Sequence, residues 1–155
     1  MSQHYTNVMV AVDGSKSAEL ALTRGINVAK RNNARLTIAH VVDTRAMQSV
    51  TAFDAEIYNI AQEDAQKFMD AYEQKAREAG VADVKQVIEF GNPKTLLATD
   101  IPDKEKVDLI LVGATGLNAF ERLLVGSSSQ YILIHAKVDL LIVRDDNKTF
   151  YTNND

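Results

Sequence analysis

Residues 8–15 read VMVAVDGS, a continuous apolar and largely β-branched run that ends in Asp-Gly-Ser. Residues 8–12 of this run are typical of a strand that other elements cover on both faces. The apolar positions of residues 15–31 then fall on one helical face, and Ser15 or Ser17 is available as the N-cap. A buried strand, a short turn and an amphipathic helix together indicate an α/β protein.

The same alternation continues along the chain. Apolar segments recur at residues 36–42, 84–90, 109–112 and 140–143, and stretches with helical period lie near residues 54–79, after Asn92-Pro93, and at 127–136. Lys85, Gln86 and Glu89 favour an edge position for the third strand. Because parallel crossovers are right-handed, we predict a single Rossmann-like, doubly wound, five-stranded parallel sheet of order 3-2-1-4-5, with helices on both faces.

Composition narrows the class of protein. The chain has 155 residues, 46% hydrophobic and 25% charged, with no cysteine and a net charge of −4. These values predict one domain over residues 1–155, with 145–155 as a loose tail, and exclude thiol catalysis and cysteine-ligated metals. No basic block favours nucleic acid as a partner, and no apolar run approaches the roughly 18 residues of a membrane helix. We expect a cytoplasmic protein that contacts neither nucleic acid nor a membrane.

The loop after the fourth predicted strand holds the most specific motif, G-x2-G-x9-G-[ST]. In a doubly wound sheet, ligands bind beyond the carboxyl ends of the strands where the winding reverses, here between the first and fourth strands. Glycines admit a phosphate to the backbone, and a helix N-terminus favours an anion. Turn and capping roles would explain each residue but not their joint spacing. The motif therefore predicts a phosphate site made of Gly113, Thr115, Gly116, Gly126, Ser127 and Ser128.

Asp13 ends the first predicted strand and faces the same predicted crevice. Its carboxylate suits a ribose hydroxyl or a phosphate-bound Mg²⁺ held through water. The alternative is an Asx turn that leads through Gly14 and Ser15 into the first helix. We interpret His40 as a core histidine with a satisfied hydrogen bond and Arg122 as a solvated surface residue. No two histidines have the spacing of metal ligands, so no transition-metal site is expected.

Three segments resemble a known family: NVMVAVDGSKSAELAL (7–22), LTIAHVVD (36–43) and GATGLNAFERLLVGSSSQYILIHAKVDLLIVR (113–144). They are similar to universal stress proteins of the nucleotide-binding subclass, in the adenine nucleotide α-hydrolase-like superfamily. This resemblance implies an ATP site in which Ala11, Val12 and Asp13 line the nucleoside and Val41 lies against the adenine. The chain departs from the family at Ser128, where valine is commoner, and at Asp139, where proline is usual. The second departure concerns the entry into the fifth strand.

The absence of recognisable catalytic groups favours a binding module over an enzyme. The chain lacks the lysine of G-x4-G-K-[ST] and any Ser-His-Asp arrangement that the sequence would expose. We therefore predict an ATP-binding, nucleotide-responsive regulatory module of the stress response with little or no hydrolysis. Two alternatives are a slow Mg²⁺-dependent nucleotide hydrolase that uses Asp13, although an S-G-G-x-D-S type of loop is missing, and a structural dimer that binds no nucleotide.

The fifth predicted strand suggests how the chain assembles. It is apolar and lies at the edge of the inferred sheet, where unpaired N–H and C=O groups invite another strand. A two-fold axis would pair this edge with its own copy, and the family resemblance implies the same arrangement. We predict a homodimer formed through Leu140, Leu141, Ile142 and Val143.

Overall fold

A computed structural model describes residues 4–47, 55–114 and 127–144. Its strands are β1 (Asn7–Ala11), β2 (Arg35–Asp43), β3 (Val84–Gly91), β4 (Leu109–Gly113) and β5 (Asp139–Val143). All neighbouring pairs are parallel, and the order across the sheet is β3-β2-β1-β4-β5. The predicted order is confirmed, and β3 lies at an edge as its polar residues indicate.

The helices are α1 (Lys16–Asn32), α2 (Ala55–Glu78), α3 (Pro93–Thr95), α4 (Ile101–Glu105) and α5 (Ser127–His135). Ser15, not Ser17, caps α1, because its hydroxyl accepts from the N–H of Ala18 at 3.1 Å. Within the described ranges, none of these helices has the length and hydropathy that a membrane span requires.

Two hydrophobic cores lie on opposite faces of the sheet, as strands covered on both faces require. On one face α1 and α2 pack against alternate strand residues, and on the other face the segment Leu96–Asp100, α4 and α5 pack against the residues between them. The first core includes Val8, Val10, Leu22, Leu36, Ile38, Met69 and Leu111, and the second includes Met9, Ala39, Ile101, Ile110, Val112 and Ile132. Helices on both faces are thereby confirmed.

The segment after β3 is more complex than the single short helix that the sequence predicts. Asn92 caps α3 and Pro93 is its first residue, as predicted, with the Asn92 side chain accepting from the N–H of Lys94 at 3.1 Å. A wide π-type turn, Leu96–Asp100, then joins α3 to α4. It buries Leu97 and Ala98 against the second core.

The entry into β5 is regular although Asp139 replaces the usual proline. Asp139 is already in register with Leu109 of β4, and its carboxylate accepts a 2.7 Å hydrogen bond from the hydroxyl of Tyr5. This hydrogen bond to Asp139 is the largest influence that raises the pKa of Tyr5. The aspartate therefore leaves the strand geometry intact.

Candidate functional site

The candidate site is the place predicted for the ligand crevice, at the carboxyl ends of β1 and β4. Val10 of β1 pairs with Ile38 of β2 on one side and with Leu111 of β4 on the other. The chain leaves β1 through residues 12–15, and the parallel neighbour β4 ends at Gly113, so both strands end at the same edge of the sheet. This is the point where the winding reverses and where open α/β sheets bind ligands.

The loop after β1 presents a carboxylate at this crevice. Asp13 is exposed, and its Oδ1 accepts from the N–H of Ser15 at 3.0 Å. Gly14 has φ +83°, a left-handed conformation that favours glycine. The Asx turn proposed as an alternative for Asp13 is thus present. Asp13 Oδ2 makes no hydrogen bond within the described part of the chain, so this exposed carboxylate keeps one oxygen without a partner there.

The residues implied for the nucleoside do not share a face. Ala11 and Val41 lie on the face covered by α3 to α5, where Val41 is buried and Ala11 is half-buried. Val12 is only 4% exposed and packs in the core beneath α1 and α2. Successive strand residues point to opposite faces, so Val12 can offer a ligand its backbone but not its side chain. The expectation that Val12 lines the nucleoside therefore stays a prediction, for its backbone.

The phosphate motif is described only in part. Gly113 ends β4, and Ser127 and Ser128 begin α5 with exposed and half-buried side chains respectively. Thr115, Gly116, Gly126 and Arg122 lie outside the described residues. A nine-residue helix starting at Ser127 directs its first N–H groups away from the helix body, where they have no partner within the helix.

Gly113 has a packing reason to be glycine that sequence spacing does not reveal. A Cβ at this position would lie 2.7 Å from the backbone oxygen of Ser17 and closer still to the Ser17 hydroxyl. The end of β4 therefore touches the first turn of α1, and any side chain would push them apart. This contact, as much as access for a phosphate, accounts for the glycine.

Ser129 is a residue that sequence reasoning missed. It is 7% exposed, and its hydroxyl donates to the carbonyl of Gly113 at 2.8 Å. The bond ties the first turn of α5 to the end of β4, on either side of residues 115–126. The run of three serines at 127–129 was the available signal, since a buried third serine in a helix needs an acceptor nearby.

His40 also belongs to the surroundings of the site. Its Nδ1 lies 2.8 Å from the carbonyl oxygen of Val12, and its ring meets Phe68 edge to face at 4.9 Å. Burial lowers the pKa of His40, while the Val12 carbonyl and the Asp13 carboxylate oppose that shift. The prediction of a core histidine with a satisfied hydrogen bond is confirmed. Its partner is the residue that precedes Asp13.

The acidic groups near the crevice limit which metal chemistry fits. No group of three or more Asp, Glu or His side chains within residues 4–47, 55–114 and 127–144 could enclose a metal ion. Asp43, at the end of β2, is held by Arg45 through Oδ1 and Oδ2 at 3.0 and 2.9 Å, and this hydrogen bonding lowers its pKa. Asp13 retains one oxygen, which fits a phosphate-bound Mg²⁺ contacted through water, since Mg²⁺ usually keeps several waters.

Comparison with known proteins identifies the family. The universal stress protein family profile matches residues 4–144. A curated Staphylococcus aureus (strain USA300) protein, named as a universal stress protein, is 42% identical over 142 residues, which cover 92% of this chain and 86% of that protein. The structure of universal stress protein UspA from Lactobacillus plantarum is 31% identical, with a TM-score of 0.80 over 92% of this chain and 100% of that one. A universal stress protein solved in complex with cAMP is also 31% identical, with a TM-score of 0.63 over 91% of this chain and 98% of its own. The chain described here belongs to the universal stress protein family.

Proposed function

We propose that this protein binds ATP in the crevice between β1 and β4 and acts as a nucleotide-responsive regulatory module of the stress response. One observation carries the proposal: the Asp13 loop leaves β1 at the sheet end where Gly113, the first residue of the glycine motif, ends the neighbouring strand β4, and Ser129 of α5 bonds the Gly113 carbonyl there. The family member that is 31% identical and was solved with cAMP supports an adenine nucleotide as the ligand class.

The phosphates would be held by backbone donors. The N–H groups of Ser127 and Ser128 open α5, and the positive end of the helix dipole favours an anion there. The hydroxyls of both serines add donors, and Gly113, Thr115, Gly116 and Gly126 complete the motif. The Ser129 bond to Gly113 keeps this donor set close to β4, so the helix start is positioned before any ligand arrives.

The adenosine would occupy the β1 and β2 side of the crevice. The uncommitted oxygen of Asp13 suits a ribose hydroxyl, or a water on a phosphate-bound Mg²⁺. Val41 and Ala11 offer apolar surface on one face, which suits the adenine ring. Val12 would contribute its backbone.

The residues proposed to hold ATP argue against rapid hydrolysis. Positioning donors hold a triphosphate, but fast phosphoryl transfer also needs a cation at the γ-phosphate and a residue that orients the attacking water. In the motif as the sequence gives it, neither a P-loop lysine nor a general base accompanies the donors. We therefore propose a binding protein and not an enzyme.

Titration calorimetry with ATP tests the site. Gly126→Val puts a branched side chain where the motif requires close backbone approach, and we expect ATP affinity to be lost in a variant whose circular dichroism is unchanged. Gly80→Ala is the control, because Gly80 follows α2 and stops that helix with φ +109°. It should cost stability and leave the affinity intact. Unchanged ATP affinity in folded Gly126→Val would show that the site is wrongly assigned.

Turnover distinguishes the binding proposal from the hydrolase alternative. We expect phosphate release over hours at most. A rate near the ordinary enzyme median of about 10 per second, abolished by Asp13→Ala, would place the protein among the hydrolases instead. ATP binding with no such rate supports the regulatory module.

We further propose that the protein forms a homodimer through β5. β5 is the edge strand next to β4, and Leu140, Leu141 and Ile142 are half-buried along it. On α5, Leu133 and Ile134 are 58% and 74% exposed, so apolar surface lies on an element that contributes to the same core as β5. A second copy paired across a two-fold axis would cover both features.

Light scattering tests the dimer. We expect a dimer mass for the unaltered chain at tens of micromolar, and a shift toward monomer for Ile142→Pro and for Ile134→Glu. Ile60→Glu is the matched control, because Ile60 is also an exposed isoleucine, 51% exposed, but lies on α2. A monomer mass for the unaltered chain, or a dimer insensitive to Ile142→Pro, contradicts this seam.

A further inference from the structure

We propose that His40 is a positioning residue for the nucleotide site: its imidazole holds the peptide that joins Val12 to Asp13 in the conformation that binds the nucleotide. The inference rests on the proposed ATP site and names a residue that no motif assigns to it. His40 does not itself lie in the G-x2-G-x9-G-[ST] loop or at the end of β1.

The backbone of Val12 is attached to β2 on both sides. Val12 is the first residue beyond β1, and its N–H donates to the carbonyl of Ala39 at 2.9 Å. Its carbonyl lies 2.8 Å from the Nδ1 of His40. A carbonyl can only accept, so Nδ1 carries the proton and donates. The last backbone group before Asp13 is the Val12 carbonyl, and it is therefore held by a side chain of the neighbouring strand.

Contacts on either side of Asp13 fix the position of its backbone. The Val12 carbonyl precedes it, held by His40, and the Asx turn to the Ser15 N–H follows it at 3.0 Å. Between them the loop is exposed, and Gly14 permits the left-handed turn. Without the imidazole, the Ala11–Val12 peptide would keep its bond to the Ala39 carbonyl. The Val12–Asp13 peptide could then rotate its carbonyl, and the Asp13 carboxylate would lose its fixed direction.

Phe68 of α2 fixes the imidazole in turn. Its ring meets His40 edge to face at 4.9 Å, and the same ring lies 3.9 Å from where a Cβ on Gly14 would stand. Phe68 thus packs against both the donor and the turn that the donor supports. An edge-to-face contact of this kind orients a ring as well as burying it.

The surroundings keep the imidazole neutral. Burial is the largest influence and lowers its pKa. Asp13 is the charged group facing it from the loop after β1, Ile88 is its apolar neighbour on β3, and Tyr72 of α2, which packs on Phe68, has its pKa raised by burial. A neutral imidazole with its proton on Nδ1 fits all of these neighbours.

A pair of substitutions tests the donor directly. His40→Leu removes it, and His40→Asn keeps an N–H near the position of Nδ1. Because one lost hydrogen bond is worth about 1 kcal/mol, we expect His40→Leu to bind ATP about fivefold more weakly, while His40→Asn stays within about twofold of the unaltered chain. The readouts are calorimetric ATP affinity and urea unfolding, measured on the full chain.

The control is Asn32→Leu, at the opposite end of β1. Asn32 accepts from the N–H of Tyr5 at 3.1 Å, so its loss should lower stability with no change in affinity. Equal ATP affinity in the unaltered chain, His40→Leu and His40→Asn overturns the positioning role, even if stability falls. Absence of ATP binding by the unaltered chain instead defeats the proposed function itself, and the inference with it.

A measurement on the unaltered protein covers the case in which His40→Leu does not fold. Nitrogen-15 NMR of the histidine ring reports which nitrogen carries the proton. We expect a neutral ring protonated at Nδ1 near pH 7, with that proton slow to exchange. A ring protonated at Nε2 alone would overturn the proposal, because it leaves no donor for the Val12 carbonyl.

Discussion

The two ends of the sheet use polar side chains in different ways. At the amino end, Asn7 and Thr37 are buried and bonded to each other at 2.8 Å, and Asn7 Nδ2 also donates to the Glu105 carbonyl at 2.8 Å. Asp108 accepts from the backbone N–H groups of Thr6 and Asn7 at 2.8 and 3.0 Å. Polar groups bonded in this way stabilise the fold and leave little capacity for a ligand.

The carboxyl end is organised differently. Asp13 gives one oxygen to its own turn and keeps the other, and Ser127 lies exposed at the start of a helix. The supporting bonds come from residues behind them, His40 and Ser129, which bond backbone carbonyls. Polar residues at the amino end of the sheet therefore stabilise the fold. Those at the carboxyl end are held in place and keep atoms that can still bond a ligand. Four predictions test this division.

The amino end should govern stability alone. Asp108→Ala removes the acceptor of two backbone N–H groups and of the Thr6 hydroxyl, so we expect the free energy of unfolding to fall by about 2–3 kcal/mol. ATP affinity should not change. Urea unfolding and calorimetry measure the two quantities, and Asp103→Ala, an exposed aspartate on α4, serves as the control. A loss of affinity in Asp108→Ala would break the division between the two ends.

The carboxyl end should govern affinity. We expect Asp13→Ala to weaken ATP binding about tenfold, or about 1.4 kcal/mol, and to cost less than that in stability, because only one turn bond is lost. Asp13→Asn keeps an oxygen for the Ser15 N–H but not the charge, so its stability should match the unaltered chain while its affinity falls. Equal ATP affinity in all three proteins would remove Asp13 from the site.

Ser129 lies between these extremes, because its bond joins fold and site. Ser129→Ala leaves the Gly113 carbonyl without this partner, and we expect a loss of about 1 kcal/mol in unfolding free energy together with weaker ATP binding. Thr23→Ala removes a similar side-chain bond, to the Glu19 carbonyl at 3.1 Å, on the exposed face of α1 and should change neither quantity. Stability loss with unaltered affinity would make Ser129 purely structural.

The smallest expected effect is a pH dependence of stability. Burial holds the pKa of His40 below its ordinary value of 6.5, so the unfolded chain binds the proton more readily. His40 therefore contributes stability that is complete above 6.5 and is lost as the pH falls below that value. Urea unfolding between pH 7.5 and 5.5 should show this slope, and His40→Asn should lack it. Hydrogen bonds lower the pKa values of three carboxyl groups, those of Asp43, Asp70 and Glu73. Their protonation therefore changes stability only at lower pH. An identical slope in His40→Asn would assign the pH dependence to groups other than His40.

Local patterns account for most of the fold. A serine cap for α1, the stop at Gly80 and the Asn92-Pro93 start of α3 follow from capping chemistry, which involves residues a few positions apart. The strand order follows from the alternation of strands and helices together with right-handed crossovers. The candidate site was predictable as a location for the same reason, since the carboxyl ends of β1 and β4 are defined by the sheet order. Bounds differed by a residue, as at β1, which ends at Ala11 and not at Val12.

The α/β sheet of order 3-2-1-4-5, the glycine motif after β4 and the family are all readable in the amino-acid sequence. Tertiary packing alone brings Gly113 against Ser17, bonds Ser129 to the Gly113 carbonyl, buries the Val12 side chain in the first core and sets His40 against the Val12 carbonyl. Periodicity and caps are read within one element. These contacts join different elements, and their geometry is set by how the helices pack on the sheet, which no local pattern records.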